Sequence, residues 1–345
     1  MAKFYKTVTT FFSHYLPEKK VTNDDLSLLM DTNDTWIKER SGISERRFAP
    51  DTTSTSDLAI EAVKKILEKS KLKPSDFDYI IACTLSPDHY FPGIAPIIQH
   101  KLQFPNIPAL DIRVQCSSFV YSMQMANAFI RSGQYKRILV VFSDVQSKFL
   151  DFTTGGRNVA VLFADGAGAV ICEAQECDSE SLLPTAHNKE SGIIDTYVGA
   201  DGSGVEQLLI PSPGTSSKTF LTAEHFEKGD WHPKMEGRAV FKNAVTRMGE
   251  VAELLLKRNS ITAEDITCLI PHQANLRISE FIRDKLKLPE DKVFNNIQKY
   301  GNTTSATIPI CIDEALQQGR IKKGDLIMTI AFGAGYTWGG NLIRL

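Results

Sequence analysis

The sequence has no excess of charge of either sign. Its 345 residues carry 39 Lys and Arg against 41 Asp and Glu, a formal net charge of −2. General nucleic-acid or membrane-surface binding needs a basic excess, so those classes are excluded, while a local basic patch for an anionic ligand is not. Long apolar runs are also missing. The strongest, such as Ile138 to Phe142, falls well short of the roughly 20 residues that a membrane-spanning helix requires. The opening Met-Ala-Lys-Phe-Tyr-Lys lacks the apolar core of a signal peptide, which leads us to expect a cytoplasmic protein. The six cysteines include no Cys-x-x-Cys pair, and the closest two, Cys172 and Cys177, give no basis for a metal site. Cys83, Cys172, Cys268 and Cys311 lie in or beside apolar runs and read as small buried hydrophobes of a reducing compartment. Cys177 lies in an acidic stretch and reads as exposed. No low-complexity linker divides the chain. No Gly-x-Gly-x-x-Gly loop marks a dinucleotide site. Phe163-Ala-Asp-Gly-Ala-Gly-Ala-Val reads instead as a glycine turn between neighbouring strands.

What is present is an ordinary globular composition, 42% hydrophobic and 23% charged, in a chain long enough for two fused units. A faint repeat supports two. A helix near Thr55 to Ser70 leads to Pro-Ser-Asp and a strand from Tyr79 to Thr84. Then come Cys116, a helix to about Ser132, Gly133 and a strand from Ile138 to Ser143. The second half echoes this. A helix near Ala239 to Asn259 leads to Ala-Glu-Asp and a strand from Thr267 to Ile270. Asn302, a helix to about Gln318, Gly319 and a strand from Leu326 to Phe332 follow. In this register His272 falls where Cys83 lies and Asn302 falls near the place of Cys116. Two similar αβ units would point their strand ends into one shared site. The stretch from about Cys177 to Arg238, rich in Ser, Gly, Pro and charge, reads as loops and short strands capping that site.

Three residues stand at junctions between an apolar strand-like run and a helix. They are Cys116 in Val-Gln-Cys-Ser-Ser-Phe, His272 in Ile-Pro-His-Gln-Ala-Asn and Asn302 in Tyr-Gly-Asn-Thr-Thr-Ser. After Cys116, the residues Phe119, Val120, Met123, Ala126, Phe129 and Ile130 form a broad apolar face at helical spacing. The free amides and positive dipole end of such a helix favour thiolate over thiol, so a lowered thiol pKa is expected. A thiol, an imidazole and a carboxamide suit acyl transfer through a thioester, with the last two donating to an oxygen that becomes negative. His89, in the loop Ser-Pro-Asp-His-Tyr-Phe-Pro, is the rival histidine. Asn302 alone is most simply a helix N-cap. The set fits a cysteine hydrolase as well as a condensing enzyme.

Longer motifs separate these. Asp34-Thr-Trp-Ile-Lys-Glu-Arg-Ser-Gly-Ile, Asp111 to Phe119, Phe163 to Val170, Met235-Glu-Gly-Arg-Ala-Val-Phe-Lys, Pro271-His-Gln-Ala-Asn-Leu-Arg, Tyr300-Gly-Asn-Thr-Thr-Ser and Ala331-Phe-Gly-Ala-Gly-Tyr-Thr-Trp-Gly run nearly end to end. Through them the chain resembles the β-ketoacyl-[acyl-carrier-protein] synthase III family of thiolase-like condensing enzymes. The resemblance implies an α/β fold of the five-layer αβαβα type. It implies two related halves, residues 1–185 carrying the cysteine and 186–345 carrying the histidine and asparagine, and a homodimer. It implies an acyl group taken from acyl-CoA by Cys116 and condensed with malonyl-[acyl-carrier protein], the start of a fatty-acid chain, without a resident cofactor or metal. His272 and Asn302 would stabilise the enolate, and the backbone of Cys116, Gly333 and Ala334 would form the oxyanion hole. Trp36 and Arg157 would sandwich the CoA adenine, with Arg40 near its phosphates. Gln273, Ala274, Asn275, Leu276 and Arg277 would meet the carrier protein, with Arg258, Arg283, Lys285 and Lys287 extending the patch. Phe91 would enter the partner subunit's acyl pocket, and Ser118 would adjoin the pocket. Arg113, Gln115, Ser118 and Ala334 depart from the family's usual residues, which opens the choice of acyl chain. The alternatives are the same chemistry on a longer or unusual chain in specialised lipid or polyketide biosynthesis, an acyl-CoA thioesterase, and a non-catalytic scaffold of the same fold.

Overall fold

The computed structural model describes residues 3–345. Two mixed sheets hold the chain together. The first contains β1 (Phe4–Tyr15), β2 (Tyr79–Cys83), β3 (Ala109–Ile112), β4 (Arg137–Asp144) and β5 (Gly166–Cys177) in the order β1-β5-β4-β2-β3. The second contains β6 (Gly192–Ala200), β7 (Cys268–Pro271), β8 (Leu326–Gly333) and β9 (Thr337–Arg344) in the order β6-β9-β8-β7. Pairing senses also correspond: β2–β4 and β7–β8 are parallel, β4–β5 and β8–β9 antiparallel.

Seven helices cover and separate the sheets: α1 (Asp34–Ser41), α2 (Thr55–Ser70), α3 (Ile94–Lys101), α4 (Ser118–Arg131), α5 (Gly237–Arg258), α6 (Leu276–Lys285) and α7 (Thr307–Gln317). Helix α2 starts at a capping box, Ser54 with Asp57, and buries Leu58, Ala59, Ala62, Val63 and Ile66 at helical spacing against the outer face of the first sheet. Helix α5 covers the outer face of the second sheet with Val245, Met248, Ala252 and Leu255. Helices α4 and α7 lie between the sheets, where Phe119, Met123, Ile130, Ile308 and Ile312 join one core with Ile81, Val140, Ile270 and Ile327. The layers are therefore helix, sheet, helix pair, sheet and helix, a thiolase-like α/β arrangement. No helix among the described residues is long and apolar enough to cross a membrane.

The internal repeat is close. Tyr79 and Cys268 open equivalent strands. So do Arg137 and Leu326, and Gln115 and Thr304 open equivalent 3₁₀ turns; in each pair the numbers differ by 189. Cys83 then corresponds to His272, as read from sequence. The counterpart of Cys116 is Ser305, and Asn302 matches Arg113, three residues earlier. Three further expectations are corrected. Gly166 and Gly168 do not form a turn but lie inside β5. A Cβ on Gly168 would stand 2.8 Å from Pro309, so the bare backbone lets α7 approach. Cys177 is buried at the end of β5 opposite Phe4. The stretch after Cys177 contains the nine-residue strand β6.

Candidate active site

Cys116 sits in a 3₁₀ turn, Gln115–Ser117, that runs straight into α4. Gln115 adopts φ 45°, in the left-handed region that side chains seldom occupy. Thr304, its counterpart, has φ 53°, and its buried hydroxyl has no partner among the described residues. Both halves thus place strain at the turn that enters the site, as backbones at functional sites often do. The sulfur's environment reverses one expectation. Burial pushes the Cys116 thiol up to about 12, with the Asp144 carboxylate adding to the effect and the residue's own amide opposing it. The helix tip gives less than the sequence promised because its first amides are used: Ser117 N donates to Val114 O and Ser118 N to Gln115 O. A thiol with a pKa of about 12 gains thiolate about tenfold per pH unit throughout the neutral and mildly alkaline range. The rate of Cys116 alkylation by iodoacetamide, followed by mass, is therefore expected to climb without a plateau to at least pH 9. A plateau between pH 6 and 8 would mean that the helix tip prevails.

His272 directly follows β7 and is 2% exposed. Burial takes its pKa down to about 3, so the ring is neutral across physiological pH. Nδ1 lies 2.6 Å from Thr307 Oγ1, while Nε2 is buried without a partner among the described residues. Asn302, 4% exposed, is held by backbone bonds to Leu162 and Ala164. Its Oδ1 accepts from Thr304 N at 2.9 Å, which turns the amide NH₂ away from that bond. Asn302 is therefore not the N-cap that its sequence context suggested: the caps of the 3₁₀ turn and of α7 are Thr303 and Ala306, and the Asn302 bond is a local turn contact that orients the carboxamide. Gly333, at the end of β8, abuts Cys116: a Cβ there would stand 2.8 Å from Cys116 Cβ and 3.1 Å from Cys116 N. Only glycine lets this strand end pass so close to the sulfur-bearing turn.

Cys116, His272, Asn302 and Gly333 line one cavity of about 780 Å³ with Trp36, Arg40, Ala274, Asn275 and Arg277. A second cavity, about 290 Å³, is lined by Leu85, Arg113, Gln115, Phe163, Ile210 and Ala334, among others. Cys116, Phe163 and Leu208 line both, so the Cys116 turn stands between a wide space and a smaller, more apolar one. At the wide end Arg40 and Arg157 lie over the Trp36 ring, 4.2 and 5.2 Å from its centroid. Arg157 also binds Asp31 through its backbone oxygen and carboxylate, and it is not a lining residue. Arg40, Arg238 and Arg277 line the mouth, and among the described residues none of the three makes an ion pair. Arg238 was not singled out from the sequence, although the motif Met235 to Lys242 contained it; only its position at the mouth marks it.

The structure separates the remaining predicted positions. Gln273 is 1% exposed. Its carbonyl accepts from Asn296 N and Ile297 N while its amide donates to Pro271 O, so it braces the loop after α6 instead of facing a carrier protein. Asn275 caps α6 and donates to Arg40 O, and Leu276 packs beneath Gly42. Arg258, Arg283 and Lys285 are paired with Asp195, Asp284 and Glu253, which removes them from any free basic patch. Ser118 is fully buried, donates to Gln115 O at 2.7 Å and lines neither cavity. Phe91 is 81% exposed and also lines neither. His89 is exposed and away from both spaces.

Residues 110–202 match the family model of 3-oxoacyl-[acyl-carrier-protein] synthase III, and residues 256–345 match the model of that synthase's C-terminal part. A β-ketoacyl-[acyl-carrier-protein] synthase III of Caldanaerobacter subterraneus subsp. tengcongensis is 45% identical over 96% of this chain and 95% of its own. The chain belongs to the β-ketoacyl-[acyl-carrier-protein] synthase III family. A synthase III of Bacillus anthracis is 42% identical over 96% of both chains. The crystal structure of 3-oxoacyl-[acyl-carrier-protein] synthase III from Aquifex aeolicus superposes with a TM-score of 0.85 at 38% identity, covering 99% of this chain and all of that one. Family membership makes the protein a condensing acyltransferase.

Proposed function

We propose that the protein condenses an acyl-CoA with malonyl-[acyl-carrier protein] through an acyl-Cys116 intermediate, the initiating step of a fatty-acid chain. The observation that carries this reading is the position of Cys116 between the two cavities, with two neutral donors lining the larger. Acyl-CoA enters past Trp36, Arg40 and Arg238, where unpaired guanidinium groups suit phosphate. The sulfur attacks the thioester carbonyl. The acyl group moves to Cys116 and its tail takes the smaller cavity, while the thiol proton leaves with CoA as CoA-SH. Malonyl-[acyl-carrier protein] then occupies the wide cavity, with Arg277 toward the acidic carrier. His272 and Asn302 donate to the malonyl thioester oxygen. Loss of CO₂ leaves an enolate whose carbon attacks the acyl-Cys116 carbonyl, and the 3-ketoacyl product leaves as Cys116 regains a proton. Because both donors are uncharged, they lower the energy of the enolate without a metal.

Two further parts belong to the proposal. Strand β3 is an open sheet edge, with Tyr90 and Phe91 exposed beside it (64% and 81%), which supports a homodimer in which Phe91 reaches the partner subunit's acyl pocket. The expected setting is the cytoplasm, where CoA and carrier thioesters are both supplied. A second reading concerns the acyl chain alone. The apolar cavity beyond Cys116 is larger than an acetyl group needs, which favours a longer chain. Asp88, the one upstream acid that a hydroxymethylglutaryl-type reaction would call on, accepts from Ser56 N at the start of α2 and lines neither cavity.

The test separates the half-reactions. His272→Ala and Asn302→Ala are each expected to lower malonyl decarboxylation on the order of 10²-fold or more, as loss of an oxyanion donor does, while Cys116 still takes up acyl groups in intact-mass spectra. Equal loss of both half-reactions would contradict the assigned roles.

A further inference from the structure

Whether His272 can donate at all depends on which ring nitrogen holds its single proton, and that question leads to Thr307. The inference rests on the reading above, in which Nε2 donates to the thioester oxygen. A neutral imidazole has one N–H. If Nδ1 carried it, the ring would donate to Thr307 Oγ1 and Nε2 would face the cavity as an acceptor, unable to steady an enolate. If the Thr307 hydroxyl donates to Nδ1, the proton must sit on Nε2.

The internal repeat supplies a control. Thr307 corresponds to Ser118, 189 residues earlier, at the first position of the equivalent helix. The Ser118 hydroxyl behaves as hydroxyl groups at helix starts commonly do and donates to the carbonyl three residues back, Gln115 O, at 2.7 Å. The matching contact of Thr307 with Thr304 O is stretched to 3.3 Å, whereas His272 Nδ1 lies only 2.6 Å away. The single proton of the hydroxyl belongs to the shorter contact, since O–H donors work best below about 3.0 Å. We infer that Thr307 is a positioning residue: its hydroxyl donates to His272 Nδ1, holds the ring proton on Nε2 and so makes the imidazole a donor toward the substrate.

The same short segment sets the other donor. Thr304 N fixes Asn302 Oδ1 and leaves the NH₂ to the cavity. Residues 304 to 307 therefore determine the hydrogen-bond polarity of both groups from outside the cavity, as neither Thr304 nor Thr307 lines it.

Two variants and one spectrum test this. Thr307→Val removes the hydroxyl and keeps the shape; Thr307→Ser restores it. Long-range ¹H–¹⁵N spectra of the full-length protein labelled at histidine should show His272 as the Nε2–H tautomer in the wild type and in Thr307→Ser, and a shift toward Nδ1–H in Thr307→Val. Malonyl decarboxylation in Thr307→Val should fall on the order of 10²-fold, the effect of losing one oxyanion donor, and acylation of Cys116 should fall at least tenfold less. Thr307→Ser should recover decarboxylation to within about threefold of wild type. An Nδ1–H tautomer in the wild type overturns the inference whether or not the valine variant folds. So does a Thr307→Val enzyme with undiminished decarboxylation. If the wild type showed the Nε2–H tautomer but neither took up an acyl group nor released CO₂, the proposed function would fail and the assignment of the Thr307 proton would stand.

Discussion

Cys116→Ala is expected to take up no acyl group from acyl-CoA and to lose condensation on the order of 10⁴-fold or more, the scale seen when a nucleophile is removed. The argument is positional. Cys116 is the one residue of the proposed trio that lines both cavities, so it is the only one able to hand a group from one to the other. The other five cysteines are buried and line neither cavity, so none can replace it. Folding should be little affected, because the change removes one sulfur from a residue that already borders open space, at a cost of about 1 kcal/mol. Malonyl decarboxylation should persist in the variant, because His272 and Asn302 remain. Intact mass with acyl-CoA and CO₂ release from malonyl thioester, measured side by side, check both halves of the statement.

The second large effect is on stability. Asp144 is fully buried at the end of β4. Its Oδ1 accepts from Thr84 Oγ1, Leu85 N and Ser86 Oγ, and its Oδ2 from Ser305 N and Ser305 Oγ. Burial raises the carboxyl pKa, and the bonds from Ser305 Oγ and N, Leu85 N and Thr84 Oγ1 oppose that rise. The residue ties the strand end of one half to the turn of the other that carries Asn302. In the repeat, Asp144 corresponds to Gly333 and Ser305 to Cys116. One pair joins the halves by hydrogen bonds, while its counterpart, Gly333 against Cys116, leaves space for a substrate. Asp144→Ala would strand several buried donors at once, with an expected cost of about 3 to 5 kcal/mol. A lower denaturant midpoint with an unchanged slope, whose product gives that loss of stability, is the predicted result; a loss below about 1 kcal/mol would show that water satisfies the donors.

Much of the frame was legible because it obeys simple periods. Leu58, Ala62 and Ile66 on α2, and Phe119, Met123 and Ile130 on α4, announce helices by spacing alone, and the observed ends differ by at most a residue or two. Strand β1 was not read. Lys6, Thr7 and Thr9 are buried in it, so its polar residues conceal a strand packed between the halves. The three central residues were legible as types at strand–helix junctions, but their electrostatics were not. A helix start suggests an activated thiol, and only the enclosed position of Cys116 shows burial outweighing it. Gln273 was misread for a similar reason. Its neighbours Ala274, Asn275 and Arg277 do line the cavity, while its own carboxamide turns inward to Asn296 and Ile297, a choice made by tertiary contacts. Arg238 lay in a recognised motif without a role until the fold set it at the mouth of the cavity.

The central claim is that Cys116 receives an acyl group and surrenders it to a carbon nucleophile made by decarboxylation. A single-turnover experiment on the intact protein tests it most directly. The protein is first loaded from acyl-CoA, freed of excess, then given malonyl-[acyl-carrier protein], with protein mass and CO₂ followed together. The account predicts one acyl group per chain, located on Cys116, stable alone and lost on adding malonyl thioester with one CO₂ and one 3-ketoacyl product. An acyl group on any other residue, or one lost to water equally fast without the malonyl partner, would contradict it.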